Sequence, residues 1–261
     1  MHTVWKGSIR FGLVNIPVRM FTATEEKSVK FRQLHAKCHT PIRYQRTCPN
    51  CEQEVDRDDI VKGYELEEGR FVVLTDEEIE AAKPEAEKSI DILDFVDLAE
   101  IDPVYFNKSY YLSPQDTGER AYSLLRQAMY DTHKIGIAQF TLRSKQSLAA
   151  VRVFDKALVL ETIFYPDEVR AVDNIPDLPK EGALPEKELN MAQQLIEQLV
   201  TPFDPEKYAD EYRQSLLDVI EKKAKGEEIR EAPDVKPHKV VDLMEALKAS
   251  LDQTAEKNKR A

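Results

Sequence analysis

Three cysteines fall within fourteen positions of one another, and a histidine stands three residues before the first of them. His35, Cys38, Cys48 and Cys51 together read H-x2-C-x9-C-x2-C, two ligand pairs with the spacing of metal-binding knuckles. One imidazole and three thiolates suit a tetrahedral Zn²⁺, and four protein ligands leave no open coordination position, so such a zinc would be structural. Cys48-Pro49-Asn50-Cys51 has the turn-forming residues a knuckle requires. His39 competes for the fourth position, although its adjacency to Cys38 makes joint ligation awkward. The other reading is a set of free thiols beside an unrelated histidine. A thioredoxin-like redox pair is disfavoured because no βαβ pattern surrounds Cys48 and Cys51.

Other chemistry has little material to work with. There is no Walker-type glycine loop, no nucleophile elbow and no HExxH, and the chain has eight glycines in all. The acidic pairs Asp58-Asp59 and Glu77-Glu78 read as a surface turn and a helix cap. Catalytic residues are therefore expected to be absent, with an unrecognised metal-dependent nuclease as the weakest alternative.

Net charge is −11, unusual for a nucleic-acid binder, but it is unevenly spread. Residues 1–47 carry nine Lys/Arg against two Glu, and residues 104–160 carry eight against four acids. Residues 48–103 carry five basic against nineteen acidic, and residues 161–261 fifteen against twenty-three. The two basic blocks either form one positive surface on an otherwise acidic molecule or are ordinary solvated faces. No apolar run reaches membrane-spanning length and the first residues lack secretory-signal character, so a cytoplasmic protein is expected.

The elements that must position these residues are legible in outline. Strands are predicted over Trp5–Leu13 and Val14–Thr22, then a strand pair within Asp59–Leu74 turning at Glu68-Gly69. Thr75 with Glu78 is a capping box opening a short acidic helix. Strands follow at Ile90–Leu98 and Val104–Leu112. Next come a helix over Asp116–Thr132, with apolar face Ala121, Leu124, Leu125, Ala128 and Met129, and a meander of Ile135–Arg143, Leu148–Phe154 and Ala157–Phe164. Beyond 185 the pattern is helical: Glu186–Leu199, then a helix capped at Asp204-Pro205 and running to Lys225. An acidic linker over 227–237 leads to a last amphipathic helix over 240–254. The division is a β-rich core (1–185) with a ribbon-like insertion near 35–51, a helical arm (186–226), and a linker with terminal helix (227–261).

Several stretches resemble the bacterial Ku family. They are Trp5-Lys6-Gly7 with Phe11-Gly12-Leu13-Val14-Asn15-Ile16-Pro17-Val18, Ile60-Val61-Lys62-Gly63-Tyr64-Glu65, and Val72-Val73-Leu74-Thr75-Asp76-Glu77-Glu78. Further on come Glu100-Ile101-Asp102-Pro103-Val104-Tyr105-Phe106, Tyr165-Pro166-Asp167-Glu168-Val169-Arg170 and Phe203-Asp204-Pro205-Glu206-Lys207-Tyr208. The blocks occur in family order across residues 1–230. Val241-Asp242-Leu243-Met244-Glu245-Ala246-Leu247 is similar to the family's minimal C-terminal segment.

The resemblance implies an α+β fold: a β-barrel-centred core with embedded helices, a helical arm and a C-terminal amphipathic helix. It implies a homodimer that rings double-stranded DNA ends on the nucleoid and works with a multifunctional ATP-dependent ligase of the ligase D type in non-homologous end joining. Zinc is suggested by this chain's cysteines and is not a family guarantee. Only Lys257, Lys259 and Arg260 remain of the long basic tail that some relatives carry, which puts tail-dependent sliding or bridging in doubt here.

A ring that accepts any end must hold phosphates and sugars without reading bases. The basic set expected to do so is Lys30, Arg32, Lys37, Arg43 and Arg46 in the first block and Lys108, Arg143 and Lys145 in the second. The stripe Val240, Met244, Leu247 and Leu251, widened by Leu243, either packs on its own protein or docks the ligase. Two other classes compete: a zinc-ribbon nucleic-acid-binding regulator, which would hold closed or single-stranded nucleic acid, and a scaffold binding proteins only.

Overall fold

The computed structural model describes residues 1–82, 88–115, 117–142, 145–179, 182 and 184–226. Two compact units form: Met1–Lys27 with Arg32–Asn174, and Ser28–Phe31 with the chain from Ile175. The strands of the first unit are, in chain order, β1 (Thr3–Phe11), β2 (Val14–Thr22), β3 (Lys62–Glu67), β4 (Arg70–Leu74) and β5 (Ser89–Asp97). They continue with β6 (Phe106–Pro114), β7 (Lys134–Leu142), β8 (Lys145–Phe154) and β9 (Ala157–Ile163).

Seven of them close into a barrel in the order β1-β2-β6-β9-β8-β7-β5, which establishes the barrel-centred fold. Alternation along the strands turns one face inward. Ile9, Ile16, Val18, Met20, Ile90, Val151, Leu158 and Leu160 come from five different strands and are all fully buried in one core. Neighbouring strands run antiparallel except at the closing seam, where β1 and β5 are parallel and Arg10 stands opposite Asp91. Arg10 Nε donates to Asp91 Oδ1 at 2.6 Å and Ser89 Oγ donates to Oδ2 at 2.8 Å. Gly7 sits at the same seam. A side chain there would meet the Lys88 carbonyl at 2.1 Å and the Trp5 ring at 2.2 Å, so Trp5 folds into space that only glycine leaves.

A short helix α1 (Asp76–Ala81) begins with the expected capping box, Thr75 and Glu78 exchanging hydrogen bonds of 2.8 and 3.1 Å. Helix α2 (Glu119–Thr132) stops one end of the barrel with Tyr122, Leu125 and Met129. The Tyr122 hydroxyl donates to the Leu112 carbonyl and accepts from the Leu158 amide, both at 2.7 Å. This corrects the face read from the sequence, because Leu124 is 72% exposed. Two hydrogen bonds to backbone of adjacent strands set the rotation of the helix, and residues two apart lie on nearly opposite sides of it.

Three boundaries also move. Pro103 opens a single 3-10 turn capped by Asp102, so β6 begins at Phe106 rather than Val104. Lys145 and Gln146, expected in a turn, begin β8 by pairing with Leu142 and Thr141. In the second unit α3 (Glu186–Leu199) matches its expectation, whereas Asp204-Pro205 caps one 3-10 turn only. Asp210 supplies the cap for α4 (Glu211–Ala224), its side chain accepting from Arg213 N at 2.9 Å. Gly226, at φ +76°, ends that helix as expected. The linker over 227–237 and the helix over 240–254 lie outside the described residues.

Candidate nucleic-acid interface and metal knuckles

The starts of β1, β6 and β8 and the ends of β2, β7 and β9 meet at the barrel end opposite α2, and there the barrel opens into a cavity of about 560 Å³. Its floor is apolar, with Tyr110 and Phe140 buried and Leu142 half-buried. Its rim is polar, from Thr22, Thr24, Asn107, Ser147 and Thr162, and carries two cations, Lys108 and Lys145. The Lys108 amide donates to Thr162 Oγ1 at 2.9 Å, and that hydroxyl donates back to the Lys108 carbonyl at 3.3 Å. This fixes the backbone beneath an ammonium that has no ion pair among the described residues. Lys145 Nζ lies 3.6 Å from Glu168 Oε1. Glu168 is itself held, its Oε2 accepting from the Tyr165 amide at 2.9 Å.

Of the eight basic residues proposed from the sequence, Lys108 and Lys145 thus share one cavity although 37 positions separate them. Arg32, Lys37, Arg43 and Arg46 are exposed along the cysteine-bearing segment, Lys30 belongs to the second unit, and Arg143 lies outside the described residues. The hydroxyl and amide side chains at the rim went unnoticed in the sequence. They are scattered from Thr22 to Thr162, and only the closure of the barrel brings them together.

The cysteine segment contains the same turn twice. The His35 amide donates to the Thr40 carbonyl and the His39 amide returns to His35 O at 2.8 Å. Thirteen residues on, the Cys48 amide donates to Gln53 O and the Glu52 amide returns to Cys48 O at 2.8 Å. His39 and Glu52, each directly after the second ligand of its pair, adopt the left-handed conformation at φ +55° and +56°. That conformation is costly for residues other than glycine, and its recurrence at equivalent places marks both turns as specified structure. Each turn is flanked by a β-bridge, Leu34 with Pro41 and Thr47 with Glu54.

His35 Nδ1 lies 3.0 Å from Cys38 Sγ. Hydrogen bonds from Thr40 and then His35 bring the Cys38 thiol down to about 7. The Cys48 thiol is lowered by the amides of Cys51 and Asn50 and by the Cys51 side chain. The structure therefore folds His35 with Cys38 and Cys48 with Cys51 into one turn each. It does not draw them into one set: among the described residues no three His, Cys, Asp or Glu side chains converge to hold a metal.

Residues 10–191 match the family model described as the Ku70/Ku80 beta-barrel domain. The chain belongs to the Ku family. Three relatives carry the name "Non-homologous end joining protein Ku". The one from Bacillus subtilis (strain 168) is 50% identical over 99% of this chain and 84% of its own length. That of Desulfitobacterium hafniense is 50% identical over 100% and 90%, and that of Heliobacterium modesticaldum 48% identical over 100% and 95%. Among solved structures, the SPOC domain of human PHD-finger protein 3 aligns with 62% of this chain and 95% of its own at 12% identity. Its TM-score of 0.31 is too low to bear on the fold or function of this Ku-family chain.

Proposed function

We propose that two copies of this chain close into a ring that threads onto double-stranded DNA ends without reading their sequence. The ring recruits a multifunctional ATP-dependent ligase of the ligase D type for non-homologous end joining and performs no chemistry itself. The observation carrying this reading is the match along the whole chain to relatives named for end joining.

Unpartnered apolar surface supports the second copy. Every residue of the β3–β4 hairpin is exposed, Tyr64 and Phe71 by 64% and 61%. An isolated two-stranded hairpin is marginal in water, and an exposed apolar face of this kind calls for a partner. Helices α3 and α4 likewise bury none of their residues, although Ile196, Leu199, Leu217 and Ile220 are large and apolar. The mouth supports a sequence-independent grip, since ammonium and hydroxyl groups suit phosphate and sugar oxygens. Val240, Leu243, Met244, Leu247 and Leu251, spaced in the sequence as one apolar stripe would be and lying outside the described residues, are the proposed contact for the ligase.

Zinc is the proposed structural metal, held by His35, Cys38, Cys48 and Cys51; the repeated turn and the donor chemistry support it. One zinc per chain should survive exhaustive dialysis and be lost in Cys48→Ser. Absence of zinc from protein purified without chelator would refute it.

A gel shift comparing linear duplex with the same duplex as a closed circle tests the ring. Binding to the linear form alone, abolished by bulky hairpins at both ends, is expected. Equal binding to both forms would favour the zinc-ribbon regulator instead.

A further inference from the structure

We propose that the mouth of the barrel seats one unpaired, phosphate-bearing nucleotide of a frayed or overhanging DNA terminus, an inference that rests on the DNA-end reading above. A grip on the outside of a duplex needs cations and hydroxyls along a surface; it has no use for a hole with an apolar floor. The cavity of about 560 Å³ falls in the range of sites that enclose small molecules. Its chemistry is divided as a nucleotide's is. Tyr110, Phe140 and Leu142 make the floor apolar, while Phe164 and Tyr165 stand half-buried at its edge and offer aromatic surface to a base. Stacking of this kind tolerates any base, because every base has a π-face, so the seat is compatible with a protein that ignores sequence.

The anionic part of the ligand has its partners on the rim. Lys108 carries an ammonium with no ion pair among the described residues, above backbone held by Thr162. Lys145 carries a second, engaged by Glu168 at 3.6 Å, an exposed pair that a phosphate can exchange at little cost. Asn107 and Ser147 add hydrogen-bonding groups to the rim. A purely apolar ligand would leave these groups without partners, and an inorganic anion would leave the floor unfilled. A base still paired in the duplex must leave its stack before it can enter, which is easiest where it is already unpaired. The seat therefore distinguishes terminus from interior, and an overhang from a blunt end.

The test uses the full chain and three duplexes of one sequence: blunt, with a one-nucleotide overhang bearing a terminal phosphate, and with the same overhang lacking its base. The overhang duplex should bind more tightly than either of the others by about fivefold to a hundredfold, the range for stacking one base on an aromatic side chain. With 2-aminopurine as the overhanging base, fluorescence should fall on binding. Thr24→Trp fills the mouth from an exposed position and should bring the ratio to about one, while Lys108→Ala should lower it. The readout is a ratio, so a general loss of DNA binding does not imitate the effect. A ratio near one in the native chain would overturn the seat, as would a ratio that Thr24→Trp leaves unchanged. Failure to bind any of the three duplexes is a separate result, and it would overturn the DNA-end reading together with the seat.

Discussion

Substitutions at Lys108 and Glu168 should change the salt dependence of DNA binding in opposite directions. Each phosphate neutralised by the protein contributes about 0.9 to the slope of log affinity against log salt. Lys108 has no competing ion pair among the described residues, so Lys108→Ala removes one contact per chain. In the proposed ring both copies carry the change, and the slope should fall by about 1.8. The affinity gap between native and variant protein then widens about twelvefold between 200 and 50 mM salt, by the same relation. Glu168 acts the other way, because its carboxylate lies 3.6 Å from the Lys145 ammonium and competes with phosphate for it. Glu168→Gln keeps an acceptor for the Tyr165 amide while removing the charge, so binding should tighten and the slope steepen. Fluorescence anisotropy on a short duplex over a series of salt concentrations measures all three slopes. A slope left unchanged by Lys108→Ala, or weaker binding in Glu168→Gln, would refute this assignment of the two side chains. A loss confined to particular DNA sequences would equally contradict a backbone-only grip. A fall of about 0.9 instead of about 1.8 would mean that a single copy contacts the DNA through this residue.

Further outcomes follow from the barrel and from the exposed hairpin. Tyr122→Phe keeps the ring but leaves the buried Leu112 carbonyl and Leu158 amide without their partner, at a cost of about 1–3 kcal/mol. At about 2–4 °C per kcal/mol the melting temperature should drop by roughly 2–12 °C, and a drop under a degree in calorimetry would show that the two bonds are replaceable. Burial tends to raise the Asp91 carboxyl, but hydrogen bonds from Arg10 and Ser89 and the Arg10 charge outweigh it and leave the group below its ordinary range. A folded-state value below the unfolded one gives stability that is present above about pH 4 and lost as pH falls through the folded value. Asp91→Asn should therefore flatten the acid limb of a melting-temperature profile, and an unchanged limb would remove the seam from acid sensitivity. Phe71→Asp puts charge on the exposed β3–β4 hairpin and should shift sedimentation toward the 30.0 kDa single chain; an undiminished dimer would acquit the hairpin of a role in assembly.

Local chemistry declared itself in the residues. The capping box at Thr75 and Glu78, the turn at Glu68-Gly69 and the stop at Gly226 each depend on a few adjacent side chains, and each was found where the pattern put it; the meander was found with β8 beginning three residues earlier. Spacing also marked both turns of the cysteine segment, because each closes within a few residues of one chain. Errors arose where a distant group outvoted a local signal. Asp204-Pro205 has the residues of a helix start and yields one turn, since Asp210 caps the helix proper. Helix α2 is rotated away from its most apolar reading by two bonds from the Tyr122 hydroxyl to strands ten and thirty-six residues away.

What the sequence determined by itself was thus the order of strands and helices up to Gly226, the two tight turns of the cysteine segment and the family likeness, all carried by residues near one another along the chain. Tertiary structure alone decided that seven strands close with β1 and β5 parallel at the seam, and that α2 stops one end of the barrel. It also decided that the other end opens between Lys108 and Lys145 over an apolar floor. The physical reason is that a barrel mouth is made of strand ends, and the order of strands around the barrel brings together ends that lie far apart along the chain.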